Sequence, residues 1–582
     1  MNERRPGVEA QPLLAPVAAA LARLRRLTVS EWRQSHIYRW TLRTRQVEGL
    51  AAAPSDYRPA DPKMARSILS GRMTLAGETL EIGQGGDPWD TASPSRAFAV
   101  SLHRFDWLPG LVHPTDPRLG QKALEEALRL SLDWIELFEP ITPFAWGAET
   151  LERRVFNLAC AAHKLVEIAS EDEQRRLLES LAEQGRSLLR MNDGPARAAE
   201  RAVVSALVGA TLAGKPGRTL LKRGLALTER TLRAVVSADG GLRTRSPEQG
   251  LELLLDLLSL DSVLQQRRIA APDAVTRAID RMTAAVRFFT LGDGRLGAFQ
   301  GGESADPARV ASAVAQGDAS GPVYSFSPQS GYHRMSGRLV QLLVDAAPAA
   351  AGPWSIAACA QPVALEISCG GDRMIVNAGW SPGARGPQAL RLTSAGSTAS
   401  VGEESAGAPL SGFLAAGLGP RLSGGARRVD VRRNENETGV WLELIHDGWA
   451  ARYGLLHQRR LYLDFRSDEL RGEDLFMPSH KPPARRRRLD PFTLHFHLHQ
   501  DVQASLARDR RSVLIRGASN RGWWFRNDAP EVSLEPSIRF DAGVPQRTRQ
   551  IALRGNIGLE GSARVRWKLA PVDSAEQPPP VR

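Results

Sequence analysis

The chain has 582 residues, 42% of them hydrophobic and 24% charged, with a formal net charge of +12 at pH 7. That length is too great for one ordinary core and predicts two to four domains of ordinary globular composition. No stretch approaches about 20 uninterrupted apolar residues, so no integral membrane segment is expected. The three cysteines, Cys160, Cys359 and Cys369, form no CxxC, which supports neither a disulfide framework nor a structural zinc.

The positive balance is almost entirely arginine. Such a surface attracts nucleic acid, anionic lipid or acidic polysaccharide, or simply reflects an arginine-rich coding bias. Nucleic acid is the weakest of these, because no basic helix with aromatic stacking partners is evident. The first 60 residues form a lead segment. Within it, "PLLAPVAAALARLRRL" (12–27) has a short apolar part, follows Glu3 and Glu9, and runs into Arg23, Arg25 and Arg26. This predicts an amphipathic helix rather than a cleaved secretion signal.

Residues from about 119 to 290 read as helices, within a domain set at 61–305. In 151–170, Val155, Leu158, Ala159, Ala162, Leu165, Val166 and Ala169 recur at the spacing of one helical face, and Val275, Ile279, Met282, Val286 and Phe289 repeat the pattern. Breaks such as "GKPGR" (214–218) and "ADGGLRTRSP" (238–247) predict antiparallel helical hairpins packed side by side. The Gly-rich "LGDGRLGAFQGGESADP" (291–307) marks a boundary. From 306 to 582 the period is two: Val363, Leu365 and Ile367 alternate with Ala364 and Glu366, and Val565, Trp567 and Leu569 with Arg564, Arg566 and Lys568. Many such strands without intervening helices predict an antiparallel sandwich. "ARRRRL" (484–489) reads as a solvated loop. In "PFTLHFHLHQDV" (491–502), Leu494, Phe496 and Leu498 point to the core and His495, His497 and His499 away from it. His495 and His499 lie about 13 Å apart along a strand, so one ion could take two at most. His457 and His480 are candidate companions, but nothing in the sequence brings them near. The expectation is a polar strand face and no metal.

Several stretches in order resemble the bacterial heparinase II/III-like proteins over nearly the whole chain: "WGAETLERRVFNLA" (146–159), "SADGGLRTRSPEQGLELLLDLLSL" (237–260), "SGYHRM" (330–335), "LEISCGGDRMIVNAG" (365–379) and "HDGWAARYGLLHQRRLYL" (446–463). The resemblance implies an N-terminal (α/α) toroid and a C-terminal antiparallel β-sandwich. It also implies β-elimination of an acidic, uronate-containing polysaccharide in the cleft between them. That chemistry needs a group to neutralise the uronate, a base for the adjacent proton and an acid for the leaving oxygen. Location in the cell envelope or periplasm follows from the resemblance; a cytoplasmic location follows if 12–27 is no signal. Oligomeric state leaves no signature.

The residues that do the chemistry are not matched. Active relatives carry a segment like D-G-G-H-x-x-R-S-P-x-Y-H, and here Asp239, Gly240, Gly241, Arg245, Ser246 and Pro247 match it. Leu242 replaces the histidine, and Gln249 and Gly250 replace the Tyr–His pair. Cys359 falls at a second family histidine and Gly396 at a third, so the zinc of some relatives is not supported and no cofactor is expected. The remaining candidates are Tyr332 and His446 for acid–base work, with Asp447 to orient His446. Arg154, Asn157, Arg245 and Trp146 are the candidates for substrate binding. Two functions follow: a polysaccharide lyase with rearranged residues, or a catalytically degenerate glycan-binding or cell-envelope polysaccharide assembly protein of the same fold.

Overall fold

A computed structural model describes residues 15–43, 47–317, 321–382, 388–479 and 489–572. Most of the basic loop 484–489, together with His480 and the first residues of the lead segment, lies outside the described residues.

The first half is a ring of helices. Gly120–Phe138, Ala148–Ile168, Glu171–Leu189, Ala198–Thr211, Gly214–Val235, Pro247–Gln266 and Asp273–Phe289 pack as antiparallel neighbours. Their ends are set locally. Ser170 and Glu173 form a capping box at the start of Glu171–Leu189, while Ser246 caps Pro247–Gln266 with a proline at its first position. The helix Pro247–Gln266 buries Leu251, Leu253, Leu254, Leu255, Leu257, Leu258 and Leu260. A helix apolar on so many sides belongs at the centre of a helical layer. Pro307–Gln316, which a boundary at 306 gives to the sandwich, packs instead on Pro247–Gln266 and Asp273–Phe289. Its face of Val310 and Ala313 is buried with the helical core.

The second half is two antiparallel sheets. One has eight strands, in the order Val429–Glu435, Gly439–His446, Leu455–Asp464, Leu470–Pro478, Ala563–Pro571, Gly522–Asn527, Ser512–Arg516 and Gln503–Leu506. The other has nine. It runs from Glu531–Asp541 through Val544–Ile557, Asp490–Leu498, Asp372–Val376, Leu365–Cys369 and Val340–Asp345 to Tyr332–Ser336 and Phe326–Ser327, and Ala399–Val401 also pairs with Asp490–Leu498. The inward residues of both sheets share one core, including Leu342, Leu365, Ile367, Leu442, Leu444, Leu461, Leu494, Phe496, Phe525 and Trp567. Gly472 pairs in register with Trp567, and a Cβ there would enter the indole ring.

The N-terminal helices lie outside both layers. Ala15–Gln34 sets Ala15 and Ala19 against the short helix Gly412–Leu418, where Gly417 permits close backbone approach, and Arg26 Nη1 donates to the Ala416 carbonyl at 3.0 Å. The next helix, His36–Leu42, docks on the ring through buried Tyr38 and Leu42. On the opposite face of Ala15–Gln34, Val17, Leu21, Leu24 and Leu27 are 55%, 63%, 60% and 55% exposed among the described residues.

Candidate functional site

The segment 239–250 joins the ring to the sandwich. Its residues that match the lyase pattern are the ones that fasten the two. The Asp239 carboxylate accepts from the Ser327 and Ser330 hydroxyls and from the amides of Gln329 and Ser330, each at 2.8 Å. Arg245 adopts a left-handed backbone, φ 64°. Its guanidinium donates to the carbonyls of Ser330, Gly331, Ala347 and Pro348 and to Asp345 Oδ1 at 2.5 Å. The Tyr332 hydroxyl donates to the Arg245 carbonyl at 2.7 Å, and the guanidinium lies 4.7 Å from the Tyr332 ring centroid. The void beside Leu242, Arg245, Phe289 and Tyr332 holds only about 10 Å³.

Tyr332 and Arg245 therefore do not face a substrate. Tyr332 is fully buried, and burial holds its hydroxyl well above the usual phenol range, which disqualifies it as a base near neutral pH. Arg245 has its donors committed to the protein.

The helical candidates are likewise interior. Arg154 is fully buried, donates through Nε to Gln184 and through Nη1 to the carbonyls of His103 and Ala145, and stacks 3.9 Å from the Trp134 ring centroid. Asn157 donates to the carbonyls of Arg104 and Phe105 at 3.0 and 3.1 Å, where Phe105 takes a positive φ of 60°. Trp146 donates its indole N–H to Phe138 inside the same aromatic packing. Arg154 and Asn157 hold the turn at 103–105 against the ring.

His446 sits in the sandwich core. Its Nδ1 accepts from the Gly448 amide, so in the neutral ring Nε2 carries the proton and donates to His457 Nδ1 at 3.0 Å. His457 Nε2 in turn donates to Asp474 Oδ1 at 2.9 Å. Arg459 and the Trp567 indole N–H complete the Asp474 carboxylate at 2.8 and 2.9 Å. Burial first, and then His457, keeps His446 well below the usual histidine range. Asp447 turns away and accepts the amides of Arg427 and Arg428. The chain of rings resembles a triad in its hydrogen bonds, but no substrate could reach it.

Gln249, which the family pattern sets at the tyrosine position, is bonded within the ring. Gln249 accepts from the Thr244 hydroxyl at 2.7 Å and donates to the Ala196 carbonyl at 2.7 Å and to Glu200 Oε1 at 2.6 Å. Around it lies an ion-pair lattice that periodicity did not reveal. Arg197 pairs with Glu152, Arg153 with Asp256 at 2.8 Å, Arg58 with Asp256 at 2.7 Å and with Glu252 at 3.1 Å, and Arg309 with Glu252. Where the lattice meets the sandwich, the Glu303 amide donates to Glu248, and burial followed by the Glu303 charge raises Glu248 to about 8. Cys359 is buried, its thiol pushed up to about 11 by burial. At Gly396 a Cβ would stand 2.8 Å from Gln361 Cγ, so the space of the family histidine is already occupied.

The histidine strand is a polar face, but a dry one. His495 bonds Ser400 Oγ and Gln550, and His497 bonds Ser537 Oγ and the Ser394 carbonyl. All three rings are at least nine-tenths buried. Among the described residues no group of three or more His, Cys, Asp or Glu could hold a metal ion.

A helical ring closed by a two-sheet sandwich, fastened by an Asp–Gly–Gly…Arg–Ser–Pro segment, defines the class of this protein. The chain belongs to the heparinase II/III-like family: residues 320–568 match the model of the heparinase II/III-like C-terminal domain. Over 542 residues it is 50% identical to the FtsZ-localized protein C of Caulobacter vibrioides (strain NA1000 / CB15N), covering 93% of each chain. Its fold is similar to the crystal structure of heparinase III, with a TM-score of 0.66 at 14% identity over 97% of this chain and 93% of that one. It is also similar to the heparan sulfate lyase HepC from Pedobacter heparinus, with a TM-score of 0.53 at 15% identity over 97% and 89%. At these identities the two structures show the fold alone.

Proposed function

We propose that this chain is a catalytically silent heparinase II/III-like protein, an assembly component of the cell envelope that localises with FtsZ. The observation that carries the reading is Gln249. It occupies the tyrosine position, and every polar group of its amide is engaged by Thr244, Ala196 and Glu200. An amide does not exchange protons near neutral pH, and both N–H groups of this one are already donated within the protein. Electrostatics agrees. Arg58, Arg153, Arg197 and Arg309, in the lattice around that position, are each committed to carboxylates, which weakens their pull on a uronate. The name of the 50% identical relative supports a place beside FtsZ.

The mode of attachment follows from the N-terminal helix. Val17, Leu21, Leu24 and Leu27 form a solvent-facing apolar stripe, with Arg23 and Arg25 beside it. Ile37 and Trp40 extend the exposed apolar surface into the next helix. An apolar stripe with flanking arginines suits a helix lying in the plane of an anionic lipid interface.

Incubation with heparin, heparan sulfate, alginate and bacterial uronate polymers, followed by ultraviolet absorbance of unsaturated uronate, should show no product. Sedimentation with FtsZ polymers should bring the chain into the pellet. Product formation from any of these glycans would restore the lyase reading, and a failure to sediment would remove the FtsZ assignment.

A further inference from the structure

The helical ring carries a concave feature remote from Gln249. The helix Ala198–Thr211 starts beside Gln249, where Glu200 receives its amide, and ends about 15 Å away at Thr211. At that far end a cavity of about 550 Å³ opens between the last turn of Glu171–Leu189, the start of Gly214–Val235 and the end of His36–Leu42. Its wall contains Arg43, Arg186, Arg190, Lys215 and Arg223, with the hydroxyl-bearing Thr41 and Thr219.

Five cations share this wall, and no carboxylate lines it. None of the five forms an ion pair among the described residues. Two are fixed in place by neutral groups. Arg186 Nη1 donates to the carbonyls of Leu42 and Arg43, both at 3.1 Å, and Arg190 Nη1 donates to Thr41 Oγ1 at 2.8 Å. These bonds orient the guanidiniums through neutral groups. Arg186 is held below the usual arginine range by burial and then by Arg190, with Glu183 opposing and Arg223 adding to the effect. Glu48 stands beside Gly214 at the helix start, outside the lining. The amino end of Gly214–Val235 adds partial positive charge on the same side.

We propose that this cavity binds a phosphate-bearing ligand with at least two negative charges. Gathered like charges in a concave wall repel one another, and a compact polyanion relieves that repulsion. Guanidinium forks match phosphate oxygens in pairs, and the threonine hydroxyls supply further donors. The cavity is bounded by three helices, which favours a compact group over an extended sugar chain. The phosphate can come from a free ester or from a lipid headgroup; Ile37 and Trp40, exposed on the helix that supplies Thr41, place an apolar surface near the rim. The site lies away from Gln249 and does not depend on the loss of catalysis.

The test is calorimetric titration of the full chain with pyrophosphate, alongside flotation with vesicles of phosphatidylglycerol in phosphatidylcholine and of phosphatidylcholine alone. The pocket variant is Lys215→Glu with Arg223→Glu, both exposed side chains, and the control is Arg508→Glu with Arg547→Glu on the sandwich surface, an equal change of charge. Thermal melts verify that both fold. Saturable pyrophosphate binding that weakens about tenfold or more in the pocket variant and not in the control supports a free-phosphate site. Flotation on phosphatidylglycerol that is lost in the pocket variant, spared in the control and absent on phosphatidylcholine supports a headgroup site. Equal loss in both variants, or loss in neither, overturns the proposal. So does a cavity that responds to heparin fragments and to neither phosphate source, which would reassign it to an acidic glycan.

Discussion

At the scale of single residues, polar side chains that look chemical in the sequence are spent on holding the molecule together. Arg245 is one. Replacing it with alanine leaves Asp345 buried without its partner and removes donors from four carbonyls. The expected cost is about 3 kcal/mol, read from denaturant unfolding, with proteolysis quickening first at the junction near 325–331. Asp474→Asn should cost a similar amount, about 3 kcal/mol, because Arg459 would keep its buried charge without a counterion. Gly396→His, which restores a family residue, should destabilise by about 1–3 kcal/mol, since Gln361 already fills the space. These roles were not legible in the sequence. Tyr332, Arg154 and His446 have the chemistry of site residues; only their neighbours show that each is enclosed. The substitutions Leu242, Gln249, Gly250, Cys359 and Gly396 were legible, because replacing an acid or base by a group that cannot exchange protons needs no coordinates to interpret.

At the scale of elements, period and burial agree wherever one face meets a core. The helix Ala148–Ile168 buries Val155, Leu158, Ala159, Ala162 and Leu165 as its spacing predicts, and Asp490–Leu498 sends Leu494, Phe496 and Leu498 inward. The strand's other face departs from the simple alternation. Its histidines are covered by Ser394, Ser400 and Ser537, which come from distant segments whose approach no local pattern announces. The helix Ala15–Gln34 gives the opposite case, an apolar stripe that stays open. Leu21→Glu with Leu24→Glu should leave the melting temperature unchanged, because neither side chain packs on the protein, while abolishing flotation with phosphatidylglycerol vesicles. Retained flotation would show that the helix is not the attachment.

At the scale of the whole molecule, buried titratable groups set the pH range of stability. Burial holds His103 and His333 at about 4 and His497 and His499 at about 3, all neutral in the fold. Once unfolded they titrate near pH 6.5, so the unfolded chain binds more protons below that value and stability is lost as pH falls. Glu248 acts in the other direction. Raised from 4.5 to about 8, it is protonated in the fold where the unfolded chain is ionised, so its contribution is lost as pH rises through that window and is level above it. Stability should peak near pH ~7, where the four unfolded histidines together bind about one proton, and decline by about 0.5 kcal/mol toward pH ~8. Glu248→Gln should flatten the alkaline side and leave the acid side intact, which unfolding curves across pH will show.

The sequence by itself determined the helical and the stranded half, their order and the apolar face of each element. Each of these depends on the identity and spacing of residues along one element, and local sterics and hydrophobicity translate such spacing directly. Only the tertiary structure decided that Asp239 and Arg245 clasp the ring to the sandwich, that Gln249 is locked by Glu200, and that Arg43, Arg186, Arg190, Lys215 and Arg223 meet around one cavity. Those outcomes join residues from separate elements, and the partner of a charge is fixed by where packing brings the chain together.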